Sequence, residues 1–194
     1  MYTKPKIIYI AGAGHSGSTL LDLILSSSPN TFSVGELKHL DQFISDTEKE
    51  LVDDSGATAQ DSQFWSTFYD KKDTYIPDAA LERTISFVNK IYLMFLGKSY
   101  RIPCRYIDND KLYQDLIFQA RLVAGNQNLN TIIDSSKVTS RLIEISERCK
   151  QCDVYVVHLV RDVRGVVYSH YKVGRSVWKW AFNWLATNLG IKRY

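Results

Sequence analysis

The sequence predicts an α/β protein, a three-layer fold on a mainly parallel central sheet, entered through a P-loop-like strand, glycine loop and helix. Three observations carry this. Apolar runs at residues 7–11, 131–134 and 154–160 read as buried strands. Each run is followed by a short polar loop, at residues 12–19, 135–137 and 161–165. Each loop opens into a helical apolar pattern. Repeated strand–loop–helix units make a parallel sheet the economical architecture, with all three polar loops at one edge. A chain of 194 residues is expected to form a single domain, residues 1–194, with a substantial core.

The first unit organises the rest. After the strand come Gly12, Ala13, Gly14, His15, Ser16, Gly17, Ser18 and Thr19, then Leu20, Leu21, Leu23, Ile24 and Leu25. The leucine-rich side of this helix is expected to face a core, and the helix to stop near Pro29. Glycines let the backbone turn tightly and approach a ligand closely. The free N–H groups of a helix's first turn point at an anion. Gly14, Ser16, Gly17, Ser18 and Thr19 therefore form a candidate anion cradle, with His15 beside it. The spacing almost spells the nucleotide P-loop G-x-x-x-x-G-K-[ST], but Ser18 stands where the lysine belongs.

Further along, residues 32–34 read as a short strand and Gly35 as the turn after it. Glu36 then stands at a strand's carboxyl end, where ligands bind in open α/β sheets. Its alternative reading is a first-turn acid favouring a helix dipole. Residues 45–62 are polar and acidic and read as a loop or short helix. Phe64, Trp65, Phe68 and Tyr69 are helically spaced and suit either core or the wall of an acceptor pocket. Helical patterns follow from Pro77 to Phe95 and from Tyr113 to Val123, with an extended stretch at 101–108 between them.

The second unit ends in Asp134, Ser135, Ser136 and Lys137. Its helix carries Leu142, Ile143 and Ile145 on one side and Arg141, Glu144, Glu147 and Arg148 on the polar side. The third unit's strand, residues 154–160, is the clearest buried strand in the sequence and leads into Arg161, Asp162, Val163, Arg164 and Gly165. A final helix over 177–189 holds Trp178, Trp180, Phe182 and Trp184, and needs cover on much of its circumference.

Composition limits the function classes. No apolar run reaches the roughly 20 residues of a membrane span. The amino terminus enters a strand with no signal-peptide pattern, so a cytoplasmic protein is expected. The net charge of +3 is uneven: seven Lys/Arg and one Asp follow from residue 161 on, leaving −3 for the remainder. This reads mostly as solvated helix surface, and no nucleic-acid partner is expected. Of Cys104, Cys149 and Cys152, the last two have C-x-x-C spacing. No second pair or nearby histidine completes a zinc site, so the pair reads as incidental.

Taken together, three segments resemble the sulfotransferase family, enzymes that move a sulfuryl group from 3′-phosphoadenosine 5′-phosphosulfate (PAPS) to a hydroxyl or amine. Gly14, His15, Ser16, Gly17, Ser18, Thr19 and Leu20 are similar to its 5′-phosphosulfate loop. Leu159, Val160, Arg161, Asp162, Val163 and Arg164, with Ser169 eight positions after Arg161, are similar to its 3′-phosphate site. Asp134, Ser135, Ser136 and Lys137 resemble a segment of many bacterial members.

The resemblance implies PAPS as donor, its desulfated bisphosphate (PAP) as product, a small-molecule or glycan acceptor, and no metal. It implies that Gly14, His15, Ser16, Gly17, Ser18, Thr19, Arg161 and Ser169 bind the donor. It also implies that Glu36 takes the acceptor proton and that Lys137 orients the donor or carries leaving-group charge. His15 departs from the family's usual Lys or Arg. A further basic 3′-phosphate segment expected near the carboxyl terminus is not found before Tyr194, so either a shortened member or a fragment is expected. Two rival readings stay open: a P-loop nucleotide kinase or NTPase, which Ser18 disfavours, and a non-catalytic nucleotide- or anion-binding module.

Overall fold

A computed structural model describes residues 4–40, 58, 61–70, 94–95 and 108–194. Across them the elements run β1 Lys6–Gly12, α1 Ser18–Ser26, β2 Thr31–Ser33, a 3₁₀ turn Leu37–His39, α2 Ser66–Asp70 and α3 Asn109–Ala124. They continue with β3 Thr131–Lys137, α4 Thr139–Arg148, β4 Asp153–Leu159, α5 Val163–Tyr171 and α6 Val177–Arg193. The strands form one sheet in the order β2-β3-β1-β4, and every pairing is parallel. The protein is thus α/β, as expected. Most of the polar stretch before Asp61, the helical pattern over 77–93 and the extended segment 101–107 lie outside the described residues.

Local chemistry sets the ends of the helices. α3 begins at Asp108, whose carboxylate accepts the Lys111 N–H at 3.1 Å, and ends at Gly125 with φ 62°. α5 is capped by Asp162, which accepts the Arg164 N–H at 2.8 Å. Parallel strands put all their carboxyl ends on one edge. There β1 runs into the glycine loop, β2 into Gly35 and Glu36, β3 into Lys137 and β4 into Arg161.

The main core lies on one sheet face. Ile7, Tyr9 and Ala11 of β1 and Ile132 of β3 pack with Leu112, Tyr113, Leu116 and Ala120 of α3 and Leu142 and Ile145 of α4. Side chains alternate along a strand, so buried Ile10 and Ile133 belong to the opposite face. Phe64 and Phe68 join the core, where Phe64 stacks on Phe32 at 4.8 Å between ring centroids. The aromatic cluster is therefore core.

Three expectations need correction. α1 turns Ser18 and Asp22 inward, four residues apart on one face, while Leu20, Leu23 and Ile24 are exposed. Leu21 and Leu25 are half-buried beside Ser18 and Asp22, so the inward face is mixed rather than leucine-rich. β4 is not deeply buried: it pairs with β1 alone among the described strands, and Tyr155 and Val156 are exposed. Arg141 is not on the polar side of its helix but buried, because a buried acid awaits it.

That acid is Asp134, with no solvent exposure. Its carboxylate accepts hydrogen bonds from the Tyr113 hydroxyl at 2.6 Å, Arg141 Nε at 3.1 Å and the Ser136 backbone N–H at 3.0 Å. Arg141 Nη2 also reaches the Tyr113 hydroxyl at 3.3 Å. Burial works against the guanidinium's charge, but Tyr113 and Asp134 outweigh it and raise the Arg141 pKa. The Ser136 hydroxyl bonds Asp134 and accepts the Lys38 N–H at 3.0 Å, tying the turn after β2 to the end of β3. Removing one member of a buried ion pair strands the other charge. Arg141→Ala is thus expected to lower unfolding free energy by about 3–5 kcal/mol, and Arg141→Lys, which keeps a cation beside Asp134, by less. Urea denaturation of the three proteins checks this.

Candidate functional site

The carboxyl edge of the sheet opens into a cavity of about 700 Å³. Gly12, Gly14, His15, Gly17, Ser18 and Thr19 line it from the first loop, Glu36 and Lys38 from the turn after β2, Lys137 from the end of β3, and Arg161 from the end of β4. Segments as far apart in the chain as Gly12 and Arg161 thus share one space. Of the residues singled out in the sequence, Ser16 and Ser169 are not among the lining. Ser16 is buried in the loop, and its hydroxyl has no partner among the described residues. Ser169 donates to the Gly165 carbonyl at 2.9 Å, within its own helix.

The glycine loop is shaped by close approach. Gly12 pairs with Leu159, and a Cβ at Gly12 would stand 2.4 Å from the Leu159 carbonyl oxygen. No other residue fits there without separating β1 from β4. Gly17 caps α1 with φ 93°, in the left-handed region that glycine adopts freely. Just before it, His15 holds φ 60°, and Lys137 at the end of β3 holds φ 67°. These are the two non-glycine residues with positive φ among those described, and both line the cavity. Such backbone strain gathers where surrounding structure fixes a functional geometry. At Lys137 its source is a register shift. Tyr9 pairs with Asp134 but Ala11 with Lys137, so β3 carries an extra residue there and re-aims the lysine.

Lys137 Nζ bonds Glu36 Oε1, and Lys38 Nζ lies 2.6 Å from Glu36 Oε2. Burial pushes the Glu36 carboxyl up, but hydrogen bonds from Lys137 and Lys38 outweigh it and hold the pKa below the usual glutamate value. Glu36 is therefore ionised at neutral pH in this arrangement.

Arg161 joins the first and third loops directly: its Nη1 donates to the His15 carbonyl at 2.9 Å. Its own carbonyl accepts the Trp184 indole N–H at 2.9 Å, which fixes the chain where β4 ends. Its guanidinium lies over Gly165, where a Cβ would come within 2.9 Å of Nε.

The far wall was not foreseen as part of the site. His170, Arg175, Trp180, Asn183 and Thr187 line it from α5, the turn after it and α6. His170 stacks on Trp180 with ring centroids 3.5 Å apart and meets His15 edge-on at 4.3 Å. Arg175 Nη1 lies 3.1 Å from His170 Nδ1. A guanidinium only donates, so Nδ1 is the acceptor and Nε2 carries the proton of the neutral ring. That Nε2 is buried with no partner among the described residues. The tryptophan-rich helix was the available signal for this wall, but periodicity does not say which tryptophan turns inward: Trp180 does, while Trp178 is 85% exposed.

Burial pushes the His170 pKa below its usual value, and the nearby His15 and Arg175 charges push it the same way. The unfolded chain then takes up this proton first on acidification. Stability is expected to fall as pH drops through about 6.5, with His170→Phe reducing the slope. Thermal midpoints between pH 8 and pH 5 check this. Comparison with family models, curated proteins and solved structures gave no match for this chain.

Proposed function

We propose that this protein is a sulfotransferase that moves a sulfuryl group from PAPS to a hydroxyl or amine of a small-molecule or glycan acceptor, on a three-layer P-loop-like fold. The observation that carries the reading is the meeting of the glycine loop and Arg161 across one cavity, with Glu36 and Lys137 between them. PAPS is anionic at both its 5′ and 3′ positions, and two separate anion-binding segments on one cavity suit it. The 5′-phosphosulfate lies against the first turn of α1, where N–H groups and the Ser18 and Thr19 hydroxyls donate. The 3′-phosphate lies at Arg161, whose five N–H donors leave several beyond the bond to His15. The unpartnered Ser16 hydroxyl and His170 Nε2–H are further donors in the same region.

Transfer is an in-line displacement at sulfur. The acceptor oxygen or nitrogen bonds to sulfur as the bond from sulfur to the 5′-phosphate oxygen breaks, and PAP leaves with the electron pair. Positioning and charge stabilisation dominate such a step. Lys137 moves from Glu36 toward the developing charge on the leaving oxygen. That frees Glu36 Oε1, restores its basicity and lets it accept the acceptor's proton. Lys38 keeps the other carboxylate oxygen in place.

Donor class and chemistry are tested together. PAP is expected to raise the thermal midpoint more than ATP, with or without magnesium. Glu36→Gln is expected to lower kcat for PAPS-dependent transfer by about 10²–10⁴ while PAP affinity is retained. Equal stabilisation by ATP with magnesium favours a nucleotide kinase or NTPase. Turnover unchanged in Glu36→Gln removes Glu36 from proton transfer.

A further inference from the structure

A second cluster lies at the opposite, amino-terminal edge of the sheet. Cys149 follows α4 and Cys152 precedes β4, and both are buried. Asp110, in the first turn of α3, reaches them, its Oδ1 accepting from Cys149 Sγ at 3.1 Å. The two sulfurs and a carboxylate oxygen of Asp110 all lie within 4.8 Å of one another. The C-x-x-C spacing offered no third ligand, because that ligand sits 39 residues upstream of Cys149 on another element.

We infer that Asp110, Cys149 and Cys152 bind a thiophilic divalent cation of the zinc class, with water at the fourth position on the half-exposed Asp110 side. Tetrahedral zinc sits about 2.3 Å from sulfur and about 2.0–2.2 Å from a carboxylate oxygen, which sets ligand-to-ligand distances of roughly 3.4–3.8 Å. The cluster reaches that geometry with small side-chain movements. Asp110 is already oriented: Oδ1 accepts the Gln151 N–H at 2.7 Å and Oδ2 the Lys150 N–H at 3.1 Å. Such outer bonds hold a ligand in place.

Without metal Cys149 is a thiol that donates to Asp110; a cation takes the place of the two thiol protons, which leave to solvent, and offsets the repulsion between two thiolates and a carboxylate this close. Lys4 and Asp153 also act on the cluster, but they pair at 3.5 Å and add no net charge. A disulfide between the cysteines would use neither Asp110 nor its two backbone bonds. A bound cation would tie α3 to the turn between α4 and β4, away from the cavity and independently of sulfuryl transfer.

The test titrates the reduced 194-residue chain with Zn²⁺ against a competing chelator and records the absorption of the Co²⁺-loaded protein. One ion per chain and a thiolate-to-cobalt charge-transfer band are expected. Outer-sphere partners alone are worth roughly 10–100-fold in affinity, so loss of a ligand in Cys152→Ser should weaken Zn²⁺ by at least about 100-fold. Asp110→Asn, which removes the ligand's charge and keeps an acceptor for one of the two backbone N–H groups, should weaken it by at least about 10-fold with the thiolate band retained. The inference is overturned if the reduced chain takes up no more Zn²⁺ than the Cys149→Ser, Cys152→Ser double variant, or if Co²⁺ binds without a thiolate band. It is equally overturned if saturating Zn²⁺ fails to slow disulfide formation between the two cysteines.

Discussion

The buried pair of Asp134 and Arg141 is the constraint on which the site depends. An aspartate with no exposure is tolerable only when its oxygens are filled, and here Arg141, Tyr113 and Ser136 fill them. Their geometry fixes the end of β3. Ser136, held by Asp134, in turn accepts the Lys38 N–H and so positions the turn that carries Glu36. Lys137, re-aimed by the extra residue in β3, follows in a left-handed conformation and bonds Glu36. A charge arrangement below the cavity thus sets the charge arrangement within it. Breaking a buried pair costs far more than replacing it whole, so this network behaves as one unit.

Strand order does the rest. β1 lies between β3 and β4, so the loops after these three strands open side by side. Gly12 lets β4 approach closely enough for Arg161 to reach the His15 carbonyl. The far wall is built differently, from aromatic stacking of His170 on Trp180 and the Arg175 contact behind it. That wall brings polar and aromatic surface opposite the loops at the sheet's carboxyl edge.

The parallel sheet was legible because strands and loops leave local marks: apolar runs, glycine clusters, hydroxyl-rich turns. The positions of Gly14, His15, Gly17, Glu36, Lys137 and Arg161 on one edge followed from the parallel order alone. Buried charge was not legible. Arg141 sits among Glu144, Glu147 and Arg148 in sequence, and nothing local says that its partner waits inside the sheet. The inward face of α1 was misread for a related reason: four leucines and an isoleucine outvote Ser18 and Asp22 in any hydrophobic pattern, yet Leu20, Leu23 and Ile24 turn outward. Asp110 escaped notice as a partner of the cysteines because ligand spacing along a chain records only local pairs, not those assembled by packing.

The central claim is that one cavity holds both ends of a single bisphosphorylated adenosine. Calorimetry with Arg161→Ala tests it most directly, by comparing PAP with 5′-adenosine monophosphate, which lacks the 3′-phosphate. The account predicts that the variant loses most of its PAP affinity and little of its monophosphate affinity. An equal loss for both nucleotides, or none for either, would contradict it.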